Sequence, residues 1–113
     1  MCTENQLHSI LSRFSAAVRD VFGERLNAVV LYGSYARGDY DVESDIDILL
    51  LVDIEKLEIK KYHKQLVKIT SDLELEYDIV ISPIVENMAE FDKYKAANAF
   101  FRNVDKEGVR ISA

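Results

Sequence analysis

Apolar residues return at helical spacing from Thr3 to Phe22, where Leu7, Ile10, Leu11, Phe14, Val18, Val21 and Phe22 form one stripe. Thr3 and Gln6 match a capping box, and Gly23 stands where a helix commonly stops. The period then shortens. Residues 28–32 (AVVLY) are a short apolar, β-branched run that predicts a buried strand ended by Gly33. Residues 46–52 (IDILLLV) predict a second strand, apolar on both faces and therefore central. Glu55 to Leu73 is helical again, with Ile59, Tyr62, Leu66, Ile69 and Leu73 on the buried side. From Leu75 to Ile81 the pattern alternates, with Leu75, Tyr77, Ile79 and Ile81 opposite Glu76, Asp78 and Val80, which predicts a third strand closed by Ser82-Pro83. Residues 86–91 and 98–107 predict two short helices, with Gly108 at the stop of the second. The order is αβ(α)βαβα: an α/β or α+β fold on a small sheet, with residues 1–113 expected to form one domain.

Composition narrows the class. Apolar residues make up 49% and charged residues 30% of the 113, an ordinary globular balance that argues against disorder. Twenty acids against 14 bases give a formal charge of −6, so the chain is not built to coat a nucleic-acid backbone. A basic protein partner fits better, or an anionic substrate brought in with metal ions. Cys2 is the single cysteine, which excludes an intramolecular disulfide. No leader-like segment is visible, and no apolar run approaches the ~20 residues of a membrane helix, so the expected location is cytoplasmic.

The chemistry gathers in residues 31–52, LYGSYARGDYDVESDIDILLLV. A strand ending in Gly33-Ser34 and followed by a short turn or helix presents backbone N–H groups and a hydroxyl to a phosphate, and Gly33 permits close approach. Asp45 and Asp47, two residues apart on a strand, share one face at about 6–7 Å while Ile46 and Ile48 point the other way. Such a pair repels itself unless cations lie between, and Mg²⁺ favours this ligand type. The alternative is a turn residue at Asp45 and an exposed strand end at Asp47. A two-metal site needs a third carboxylate, for which Asp78 on the next strand is the candidate; alternation alone does not choose between it and Glu76, and an exposed acidic edge is the competing reading. Other schemes fail: there is no P-loop, dinucleotide fingerprint, Cys/His zinc cluster or nucleophile elbow around Ser34.

Gly33-Ser34, ten residues, Asp45-Ile46-Asp47 and a later strand acid together resemble the DNA polymerase beta-like nucleotidyltransferase superfamily. The run GSYARGDYDVESDIDILLLV resembles its small branch, the minimal nucleotidyltransferase (MNT) domains. The likeness is strongest over residues 29–52 and weaker over 76–83 (EYDIVISP) and 100–111 (FFRNVDKEGVRI). It implies the nucleotidyltransferase fold, a small mixed sheet with flanking helices. It also implies Gly33 and Ser34 on the triphosphate, Asp45 and Asp47 as metal ligands, and Asp78, in an apolar-Asp-apolar context, as the third carboxylate and metal ligand. Arg37 would assist the phosphates, a surface ion pair being the competing role. The implied reaction moves AMP from ATP to a hydroxyl with two Mg²⁺ ions. The implied setting is hetero-oligomeric: an antitoxin paired with a helical HEPN-type RNase toxin and modifying one of its tyrosines. Two other functions stay open, a non-catalytic module that neutralises its partner by occlusion and a small-molecule nucleotidyltransferase of aminoglycoside-modifying type.

Overall fold

The computed structural model describes residues 3–111; Cys2 lies outside them. Helix α1 runs Glu4–Phe22. Its capping box is formed as expected: Thr3 Oγ1 accepts from the Gln6 N–H at 3.1 Å and Gln6 Oε1 accepts from the Thr3 N–H at 2.9 Å. Ile10, Phe14 and Val18 from its stripe are fully buried. A short 3₁₀ turn leads into β1, Leu26–Tyr32, then the one-turn helix α2, Ser34–Arg37, then β2, Ile46–Val52.

The segment expected as one helix from Glu55 to Leu73 is three pieces: α3 (Lys56–Ile59), a 3₁₀ turn (Lys60–Tyr62) and α4 (His63–Tyr77). The tighter turn brings Ile59 and Tyr62, three apart, onto one side, where both pack on the core. The Tyr62 ring meets Phe22 at 4.8 Å.

The third strand is displaced from its expected place. Residues 75–77 continue α4, with Leu75 85% exposed, and Asp78 ends the helix in the left-handed region at φ 53°. Leu73 and Tyr77, four apart, both face the core, so a helix running on from Leu73 accounts for the Leu75-Glu76-Tyr77 stretch that alternation read as the start of a strand. Strand β3 is Ile81–Asn87, with Pro83 inside it and not closing it. Pro83 is tolerated because β3 is an edge strand. Helix α5 consequently starts late, at Met88–Tyr94, while α6 occupies Ala99–Glu107 as expected. A three-residue strand that alternation did not reveal, β4 (Val109–Ile111), follows.

The sheet order is β3-β2-β1-β4, with β1 antiparallel to β2 and β4, and β2 parallel to β3. It is a mixed sheet with β2 inside, as the sequence predicts. One face packs Ile46, Ile48, Leu50 and Val52 against α1 and α4. The other packs Ala28, Val30, Leu49 and Leu51 against Phe91 of α5 and Phe101 and Val104 of α6. From Ile48 to Val52 no residue of β2 exceeds 1% exposure. Each such side chain contributes about 1.5–3 kcal/mol by burial. The candidate carboxylates Asp45 and Asp47 therefore stand at the start of a deeply buried strand.

Candidate active site

The chain leaves β1 at Tyr32 and turns at Gly33, whose φ of 76° and ψ of −155° suit glycine alone. Its carbonyl accepts from the Ala36 and Arg37 N–H groups at 3.1 Å, opening α2. Ser34, half-buried, is the first residue of that helix, and its hydroxyl has no hydrogen-bond partner among the described residues. The loop back to β2 is tied down locally. Tyr35 and Tyr40 stack at 4.2 Å and 11°, Asp41 Oδ1 accepts from the Glu43 N–H at 2.9 Å, and Ser44 Oγ accepts from the Asp41 N–H at 2.9 Å. This ordering delivers Asp45 to the mouth of β2.

Asp45 is exposed and Asp47 half-buried, with Ile46 fully buried between them on the opposite face. Asp47 pairs with Tyr32 on β1 and with Ser82 on β3. Gly33 proves essential to this packing: a Cβ built on it falls 3.3 Å from the Asp47 carboxyl carbon and closer still to Oδ2. The glycine of the Gly-Ser pair thus makes room for the aspartate of the Asp-x-Asp pair. Burial, then the charge of Asp45, push the Asp47 carboxyl above its usual range, with Arg37 opposing. Burial and Asp47 likewise raise the Tyr32 phenol to about 12. An acid held partly out of water beside another acid fits a hard divalent cation, which supplies the charge the protein lacks there.

Asp78 does not sit on a strand. It lies on the turn before β3 and shares with Asp45, Ser44 and Glu43 the wall of a cleft of about 190 Å³. Among the described residues no three Asp, Glu, His or Cys groups lie close enough to hold one ion. The expected convergence of three strand carboxylates is therefore not formed. The position beside Asp47 on β3 belongs to Ser82, whose hydroxyl donates to Asp45 Oδ2 at 3.3 Å. Glu76 is removed from the site: it lies on α4 and pairs with Arg13. Arg37 is exposed, donating from Nε to Asp39 at 3.2 Å and lying 3.6 Å from Glu107, yet near enough to Asp47 to act on its carboxyl. Sequence reasoning missed Ser82 because it began the strand at Leu75 when β3 begins at Ile81. A parallel register drawn from Ile81 onward would have found it.

The nucleotidyltransferase domain family matches residues 11–106. A protein of Methanocaldococcus jannaschii provisionally named a protein adenylyltransferase is 36% identical over 106 residues, covering 94% of this chain and 99% of its own. The protein adenylyltransferase MntA of Thermococcus cleftensis is 34% identical over 80 residues, covering 65% of this chain and 77% of its own. Among solved structures, a Sulfolobus solfataricus protein provisionally named a nucleotidyltransferase superposes with a TM-score of 0.54 at 23% identity, over 96% of this chain and 87% of that one. A toxin–antitoxin structure with AMP-PNP superposes at 0.52 and 17%, over 96% and 72%; at these identities the two structures bear on the fold. The chain belongs to the nucleotidyltransferase family, and its sheet is the fold of that family. No helix of the described residues is long and apolar enough to cross a membrane.

Proposed function

We propose that this protein transfers AMP from ATP to a hydroxyl on a partner protein, the acceptor being a tyrosine of a helical HEPN-type toxin that the transfer silences. The observation that carries the reading is the contact between Gly33 and Asp47: the Gly33-Ser34 turn lies directly against the carboxylate pair. Supporting it, curated relatives are named protein adenylyltransferases, and solved structures of this fold include toxin–antitoxin complexes.

Asp45 and Asp47 would hold Mg²⁺, two ions in the full site, with Ser82 steadying the Asp45 carboxylate. Cations held by these carboxylates would supply positive charge to offset that on the attacking and leaving oxygens. Gly33 and Ser34 receive the triphosphate, and Arg37 balances its charge from the rim. The cleft beside Asp45 and Asp78 admits the acceptor. Asp78 accepts the hydroxyl proton as the oxygen attacks the α-phosphorus; the bond to the bridging oxygen breaks and pyrophosphate departs.

The test is labelled ATP and Mg²⁺ with this protein, alone and with the protein encoded beside it. Label is expected on a tyrosine of the neighbour, lost with Asp45→Asn plus Asp47→Asn and with Asp78→Asn, and retained with Glu76→Gln. Inhibition of the neighbour that survives the double substitution, with no label transferred, would show an occlusion module instead.

A further inference from the structure

The carboxylate pair is flanked by two clefts of different character. The one toward β3 is acidic, walled by Glu43, Asp45 and Asp78. The other, toward β1 and α6, has a volume of about 230 Å³ and is walled by Tyr32, Gly33, Arg37, Phe100, Asn103 and Glu107. Helix α6 buries Phe101 and Val104, at 9% and 3% exposure, and this leaves the neighbouring Phe100 37% exposed. Its ring is fixed edge-on to Tyr32, with centroids 5.4 Å apart and planes at 82°. An apolar ring held at a set angle against Tyr32, the residue before Gly33, is unaccounted for by the core.

The polar groups of this cleft define what it accepts. Arg37 and Glu107 face each other at 3.6 Å, so this wall carries both signs of charge and no net one. Asn103 has no hydrogen-bond partner among the described residues, which leaves its carboxamide both donor and acceptor. A neutral, flat group with hydrogen-bonding edges suits these walls, whereas a second anion does not.

We infer that the cleft between Tyr32 and α6 takes the base of the nucleoside triphosphate, stacked on Phe100 with its edge toward Asn103. This rests on the proposed nucleotidyl transfer and adds the part of the nucleotide that the turn and carboxylates do not touch. Stacking on an aromatic ring tolerates any base, so Phe100 supplies affinity and Asn103 the preference among bases.

The experiment is titration calorimetry with Mg²⁺ present, comparing ATP with inorganic tripolyphosphate, on the wild type, Phe100→Ala, Phe100→Tyr and Asn103→Ala. Phe100→Ala should weaken ATP roughly 5- to 100-fold and leave tripolyphosphate unchanged, while Phe100→Tyr retains ATP affinity. Asn103→Ala should alter the ratio of ATP to CTP affinity. Unchanged ATP affinity in Phe100→Ala overturns the inference, as does an equal loss for both ligands, which would mean general damage to the site. Loss of binding to a partner protein with ATP affinity intact would make Phe100 a docking residue and overturn it too. If the wild type bound neither ligand, the nucleotidyl-transfer reading itself would fall.

Discussion

Replacing Gly33 by alanine separates two effects that usually travel together. The first is backbone strain: at φ 76° and ψ −155° a non-glycine residue costs about 1–3 kcal/mol. The second is steric. The new Cβ overlaps Asp47 Oδ2, and that carboxylate, as the end of a movable side chain, must swing away. Gly38 is the control. It has φ 83° and ψ 9°, two residues from Tyr40, but a Cβ there meets nothing within 4 Å, so Gly38→Ala carries strain alone, about 1–2 kcal/mol. Both variants should melt lower, by roughly 4–8 °C per kcal/mol. Under the proposed function, in which Asp47 holds the metal, only Gly33→Ala should weaken Mg²⁺-dependent ATP binding, by about 10- to 100-fold, the usual scale when the support of a metal ligand is lost. Thermal unfolding and calorimetry on both proteins give the comparison. Equal ATP affinities in the two variants would refute the claim that Gly33 exists to admit Asp47.

Two further predictions concern stability. Ser15 is fully buried in α1 and its hydroxyl has no partner among the described residues, so Ser15→Ala should raise the melting temperature, by about 4–8 °C if it removes about 1 kcal/mol; an unchanged or lower value in thermal unfolding refutes this. Glu86, half-buried on β3, has its carboxyl raised above 4.5 by burial first and by Glu90, against Lys56. The folded state therefore binds the proton more tightly than the unfolded, and the stability this gives is full below 4.5 and lost as pH rises through the raised value. Glu86→Gln should thus gain on the wild type between about pH 4 and about pH 7, as melting curves across that range would show.

The parts of this molecule that sequence made legible are those where one local signal dominates. The capping box of α1 and the both-faced burial of β2 each follow from period or spacing. The Gly-Ser and Asp-x-Asp pairs were legible too, although not the reason they occur together, because the contact between Gly33 and Asp47 spans two strands. The third strand was not legible. Its helix ends without glycine or proline, on Asp78, one of the few residue types that visit the left-handed region without large cost. Pro83 then misled, since its meaning depends on whether a strand is at an edge, and edge position belongs to the sheet as a whole. The same misplacement hid Ser82, whose role exists only through its register with Asp47.

The alternation of β2 specifies the site and the fold at once. Ile46 and Ile48 are fully buried toward α1 and α4, and Asp45 and Asp47 project from the other face just where the cover of α5 and α6 ends. A slip of one residue against β1 would turn both carboxylates under α1 and α4 and expose the two isoleucines. Burying an unpaired carboxylate costs far more than an apolar side chain gains, so the slipped register has no compensating contact. The pair that repels itself at the mouth of the strand therefore excludes the alternative pairing. The same restriction holds Asp47 against Gly33, and thereby keeps the turn and the carboxylates together in the arrangement on which the proposed metal-bound triphosphate site depends.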